Sequence, residues 1–299
     1  MKRDHLSLVA GFLPGLSLLI VLVCRRYVQG GANLPQWAAA IPLEWLWVMV
    51  EMLVFFLPYA ILLFLCSRKE DISLKPRLQP ISVGSIPMLL TLGVTMALVN
   101  LLLGDIIGTM AGKSYADVQV FSPLLQGQPS VIAIIVAITV VPVIGGQLLF
   151  TEGLMRVYAP GGGLPALMIC ALGYSLLTGT PETLAGTFLG MLVFFYVSWT
   201  MNSMWAGLLV HGTYSFVHLL LLFVAGAYSG HELWRVVQLV MIFLFGLFLY
   251  LSMHSMEQLM EKGMLRRLER IRRENLLNSI VFSPGLWMTV FLFVINWLT

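Results

Sequence analysis

Long apolar runs, each close to the length of a membrane crossing, alternate with short polar stretches along the whole chain. A helix needs about 20 apolar residues to span the hydrocarbon core. Nine runs are candidates: 6–24, 43–66, 85–104, 130–150, 164–178, 185–202, 204–228, 233–253 and 280–298. The fifth, sixth and ninth are the weakest, being short or interrupted by glycine, proline or polar residues. The alternating strands of about ten residues that build membrane barrels are absent. The spans are therefore read as helices, whose backbone groups bond within the segment. The pattern predicts an all-α polytopic membrane protein of about eight to nine transmembrane helices, with no repeat period and one membrane domain, 1–299.

Two segments outside the spans have their own character. Residues 105–128 form a moderately polar external loop that is open to a partly re-entrant reading. Residues 256–278 read MEQLMEKGMLRRLERIRRENLLN, with Met256, Leu259, Met260, Met264, Leu268 and Ile271 at helical spacing and a basic opposite face. That pattern predicts an amphipathic helix on an anionic cytoplasmic leaflet. Two readings of it stand: a docking helix for a protein partner, or a surface connector.

Composition agrees with the pattern. Of 299 residues, 59% are hydrophobic and only 10% charged, the mean hydropathy is +0.91, and soluble domains carry about 25% charge. The net charge of +3 gives no reason to expect nucleic acid, because the basic residues sit at span ends. Cys24, Cys66 and Cys170 all lie in apolar runs, which argues against a disulfide framework or thiolate metal site. The first run follows Met1-Lys2-Arg3 as a signal peptide would, yet ends in Cys24-Arg25-Arg26 without a small-residue cleavage site. It is expected to be a retained span.

Loop charge sets the expected orientation. Thirteen of the 17 Lys and Arg residues fall on one side of the nine-span arrangement; Arg25, Arg26, Lys113 and Arg235 fall on the other. Positive residues favour the cytoplasm, so the N-terminus is predicted cytoplasmic. The C-terminus is external if the ninth run spans, and cytoplasmic if it lies in the interface.

Ionisable groups at depth are few. Glu51 lies two turns inside the second span, on the face of Glu44, with no ionisable partner nearby in sequence, and is read as facing another helix. The remaining candidates fall between Val141 and His218. Glu152 and Arg156 are four apart and so neighbours on one helical face. Glu152 either activates a water or binds a metal with Arg156 holding it ionised, or the two form an interfacial salt bridge worth a few tenths of a kcal/mol. Tyr174, Ser175 and Thr178 give the fifth span its polarity; a catalytic serine there lacks a local base. In the seventh run His211, Ser215 and His218 stand at i, i+4 and i+7 on one face. Two readings are open: partial metal ligation, which also wants a carboxylate and an open position, or histidines bonded to backbone and hydroxyl groups across a helix interface. His218 is read as packing.

The order of these features carries a resemblance. A fourth span with Pro142 ends in LLF, a fifth has an aromatic-x-x-x-polar pattern, a sixth is glycine-spaced (GTFLGMLVFFYVSW), and a seventh opens NSMWAGLLVHGTYS. Over 132–223, within a core of about 130–228, this resembles the CPBP group of CAAX-protease and bacteriocin-processing intramembrane proteins, also called the Abi family. That family's motifs are Glu-Glu-x-x-x-Arg, Phe-x-x-x-His and His-x-x-x-Asn or Asp, which in active members bind a metal or activate water for peptide cleavage. By spacing to the fifth span, the first motif falls on Gly146, Gln147 and Thr151. A second placement, on Thr151, Glu152 and Arg156, keeps one glutamate and the arginine but leaves about five residues too few before the next motif. The second motif falls on Tyr174 and Thr178, without its histidine. The third keeps His211 and has Ser215 for the amide or acid.

The resemblance thus implies a retained fold with most catalytic groups lost: a pseudoprotease of a prokaryotic cytoplasmic membrane, without a cofactor. Its former cavity, expected at Gly146, Gln147, Thr151, Glu152, Arg156, Tyr174, Thr178, His211, Ser215 and His218, would hold lipid or a partner's transmembrane helix. Gly145, Gly146, Gly186 and Gly190 would allow close helix approach. The alternative is a divergent active endopeptidase of the CAAX-processing type using Glu152 and His211, with zinc as its metal. A small-molecule transporter is a third reading, disfavoured by the scarcity of intramembrane charge and the lack of inverted repeats.

Overall fold

The structure is a computed structural model describing residues 3–30, 40–67, 74–113, 130–178, 180–228, 232–261, 263, 281 and 283–298. Every regular element among them is helical. Six helices are long and apolar enough to cross a membrane, as expected of an integral membrane protein: Leu6–Cys24, Leu43–Ser67, Val83–Met110, Val131–Gly161, Met204–Tyr228 and Leu233–Glu261. The three weakest candidate runs correspond to three shorter apolar helices, Gly163–Leu177, Leu184–Thr200 and Pro284–Trp297. The chain divides into two compact units.

The first unit takes Met1–Pro76, Leu124–Leu177 and Leu268–Thr299. Its helices are α1 (Arg3–Ala10), α2 (Phe12–Gly30), α3 (Leu43–Ser67), a long composite α5 (Val131–Gly161), α6 (Gly163–Thr178, whose last residue falls in the second unit) and α10 (Pro284–Leu298). The first span is broken at Gly11, where a side chain on Gly285 of α10 would overlap the Gly11–Phe12 backbone. Glycine on both sides lets the two backbones touch, and close approach is how membrane helices gain packing energy without a hydrophobic drive. Beyond Cys24, where an end was expected, α2 continues through Arg25 and Arg26 to Gly30. Arginine is a good helix former, so charge alone does not stop the helix.

The fourth run differs most from expectation. It was expected to close at residue 150 but continues to Gly161, and two stretches, Val136–Val140 and Gln147–Leu154, are wound as π-helix. It ends at Ala159–Gly161, a tight turn, and at Gly162, whose φ of +134° suits glycine and swings the chain into α6.

The second unit takes Arg77–Pro123 and Thr178–Arg267. It contains α4 (Ile86–Met110), α7 (Leu184–Thr200), α8 (Met204–Tyr228) and α9 (Leu233–Glu261), with α7, α8 and α9 all packed on α4. Asp105 does not open a loop as expected: α4 carries it inside a helix, buried, with Gln238 Nε2 donating to its Oδ2 at 2.5 Å. A partnered carboxylate does not have to leave the helix to find water. Residues 114–128 of the expected loop lie outside the described residues. The amphipathic stretch also begins differently, because α9 runs unbroken through Met256 to Glu261. No glycine or proline separates the apolar run from it. Of its remainder, residues 262 and 264–278 lie outside the described residues, and Gly263 turns at φ +66°.

The boundary between α7 and α8 is set by Asn202, at a left-handed φ of 52°. Ser203 Oγ donates to the Gln79 carbonyl at 2.5 Å, and Met204 N–H donates to that of Arg77 at 2.8 Å. These bonds tie the segment before α4 to the start of α8 and satisfy a helix N-terminus that otherwise lacks partners.

Candidate functional site

In the first unit the candidate residues collect on the π-wound part of α5. Gln147, Thr151 and Glu152 are fully buried there. Long π stretches are rare in proteins and tend to occur at functional sites. Two things favour one here. Gly145 and Gly146 bring α5 against aromatic side chains: a Cβ on Gly146 would lie 2.5 Å from Tyr174 Cε2, and one on Gly145 would overlap Phe55. A Cβ on Gly153 would lie 2.8 Å from Leu62 Cδ2. The helix is thus held between α3 and α6 by rings that leave its small faces little freedom to rewind.

Thr151 Oγ1 donates to Gln147 Oε1 at 3.0 Å, while Gln147 Nε2 is buried with no hydrogen-bond partner among the described residues. Glu152 Oε2 accepts from Arg156 Nη2, the guanidinium side chain being 15% exposed and the carboxylate 0%. The expected salt bridge is present, but its carboxylate is buried rather than exposed, so it is not the pair of a few tenths of a kcal/mol that an exposed face would give. Removing one partner of a buried pair typically costs about 3–5 kcal/mol. Tyr174 lies over Gly146, stacked on Phe55 (5.9 Å, 27°) and edge-on to Phe150 (5.4 Å, 70°).

In the second unit α8 presents His211, Ser215 and His218 on a buried face. Tyr214, which the sequence reading passed over, organises it. The rings run Phe194, His211, Tyr214, His218: His211 is stacked on Phe194 (5.3 Å, 23°), and His218 lies nearly parallel to Tyr214 (5.6 Å, 5°). Asn100 Nδ2 of α4 donates to the Tyr214 hydroxyl at 2.9 Å. Gly186 of α7 packs on Asn100, a Cβ there falling 2.7 Å from Asn100 Cα. An asparagine inside an apolar span is itself a signal, because polar side chains at such depth bond to another helix. Thr178 ends α6, and its side chain lies outside the described residues.

The structure thus brings Gly146, Gln147, Thr151, Glu152, Arg156 and Tyr174 together in one unit, and His211, Ser215 and His218 together in the other. Among the described residues no group of three or more His, Cys, Asp or Glu side chains comes together as a metal would require, so no complete zinc ligand set stands among them. Glu51, read as facing another helix, is buried in α3. Outside the candidate site, Lys113 Nζ donates to Glu182 Oε1 at 2.7 Å. No family model, no characterised protein and no solved structure matches the chain.

Proposed function

We propose that this chain is a catalytically degenerate relative of the CPBP intramembrane proteases, which binds a partner's transmembrane helix through the polar cluster of α5. One observation carries the reading: the single carboxylate on the motif-bearing helix, Glu152, is fully buried and already engaged by Arg156. A carboxylate with no exposed surface is poorly placed to meet a water, and Gln147 on the same helix has no charge to lend. What the cluster offers is hydrogen-bonding capacity in an apolar setting, which suits recognition.

In this proposal the three shorter apolar helices complete eight to nine crossings of a prokaryotic cytoplasmic membrane, with the N-terminus in the cytoplasm. The support is the bias of Lys and Arg in the loops. Single cysteines placed at Lys2 and Lys113 report on sidedness: an impermeant maleimide applied to intact cells should label the second and spare the first.

The functional test is proteolysis by the purified protein in lipid nanodiscs on a prenylated CAAX-type peptide. No cleavage is expected. Cleavage lost in both Glu152→Gln and His211→Ala would overturn the proposal and favour the active endopeptidase.

A further inference from the structure

Among the described residues, the chemistry of Gln147 is left incomplete. Its Oε1 is taken by Thr151, while its Nε2 is sealed from solvent with no acceptor among the described residues. A buried donor without a partner is costly to keep, and leucine in its place removes that cost while taking the Oε1 acceptor from the buried Thr151 hydroxyl. Position matters as well. Gln147 is close to the middle of the 31-residue apolar helix Val131–Gly161, roughly 20 Å from either end at about 1.5 Å per residue. Lipid ester carbonyls sit at the edge of a hydrocarbon core about 30 Å thick, too far out to reach it. An acceptor at that depth comes from another polypeptide, which supplies a polar side chain or a carbonyl freed from its helix.

We propose that Gln147 reads a hydrogen-bond acceptor at the membrane midplane on the partner's transmembrane helix. The inference rests on the partner-binding reading above. Tyr174 lies on Gly146, next to Gln147, and is held by Phe55 on one side and Phe150 on the other. Gln147 is fully buried, so a partner reaches its carboxamide only where the packing around α5 opens. An apolar helix gains nothing from it, whereas a helix with a central asparagine satisfies Nε2 and is selected.

The test uses the full chain in phospholipid vesicles with two synthetic transmembrane peptides of about 20 residues, alike except for a central Asn or a central Leu, and follows binding by energy transfer. The Asn peptide is expected to bind about threefold to tenfold more tightly. Gln147→Leu, made in a Thr151→Val background so that no hydroxyl loses its acceptor, should abolish that preference while raising the thermal unfolding midpoint over Thr151→Val alone, a pairing that a merely structural glutamine would not give. Equal binding of the two peptides, or a preference that survives Gln147→Leu, overturns the inference and leaves the partner-binding reading standing. Failure of both peptides to bind overturns both. Repeating the unfolding measurement in diether lipids, which lack ester carbonyls, separates the sources. A midpoint gain in Gln147→Leu that appears only in diether vesicles would assign the acceptor to lipid and overturn the inference; a gain in both supports it.

Discussion

Arg156 Nη2 meets Glu152 Oε2 across a helix that changes its winding between them, from π up to Leu154 to α from Met155. The pair is therefore made where the register of α5 is reset. Arg156→Ala should lower stability by about 3–5 kcal/mol, because it removes the counter-charge of a fully buried carboxylate. Glu152→Gln combined with Arg156→Ala should recover most of that loss. Denaturation of purified protein in bicelles, followed by tryptophan fluorescence, checks both values.

Gly146→Ala places a methyl group against the Tyr174 ring, which Phe55 and Phe150 prevent from yielding. Overpacking of this kind costs about 1–3 kcal/mol. Adding Tyr174→Leu should relieve the clash, so that the double variant unfolds at a higher temperature than Gly146→Ala alone.

The bond from Asn100 to Tyr214 joins α4 to α8 inside the second unit. A double-mutant cycle with Asn100→Leu and Tyr214→Phe should return a coupling of about 0.6–1.7 kcal/mol, the range for interhelical bonds in membranes. Gly186→Val should destabilise through the Asn100 backbone it would meet, and neither single substitution at 100 or 214 should rescue it.

Outside the spans, Glu182 titrates below its ordinary value of 4.5. Burial pushes it up, but hydrogen bonds from Lys113, its own backbone and Thr180, together with the Lys113 charge, pull it further down. A depressed folded-state pKa adds stability that is full above the unfolded value and disappears as pH falls through the folded one. Wild type should therefore exceed Glu182→Gln in unfolding midpoint at neutral pH. The gap should narrow below about pH 4.5 and close at lower pH. Half of the Lys113 side chain is exposed, so the gap corresponds to no more than about 1 kcal/mol.

Much of the architecture was legible from hydrophobic length alone. The seventh run matches α8 residue for residue, because Met204 comes just after a left-handed Asn202 and no Asp, Glu, Lys, Arg or Pro interrupts the stretch up to Tyr228. The short runs were legible as weak for the same reason that they are short helices. Less legible were the ends governed by partners distant in sequence. Asp105, inside α4, finds its hydrogen-bond partner in Gln238, 133 positions away. The candidate site was legible as a list of polar residues but not as a geometry. Burial of Glu152 depends on α3 and α6 covering α5, and the ring column through Tyr214 depends on Asn100 and Phe194 from other helices. None of these follows from local periodicity.

The π winding of Gln147–Leu154 also changes what a residue count means. Each i→i+5 turn holds one residue more than an α turn, so α5 can absorb an inserted residue as a local bulge while both of its ends stay where they were. Distance along the chain from Pro142 to Tyr174 is consequently not a ruler for which side chains meet. A motif carried across such a segment by spacing alone drifts off its face.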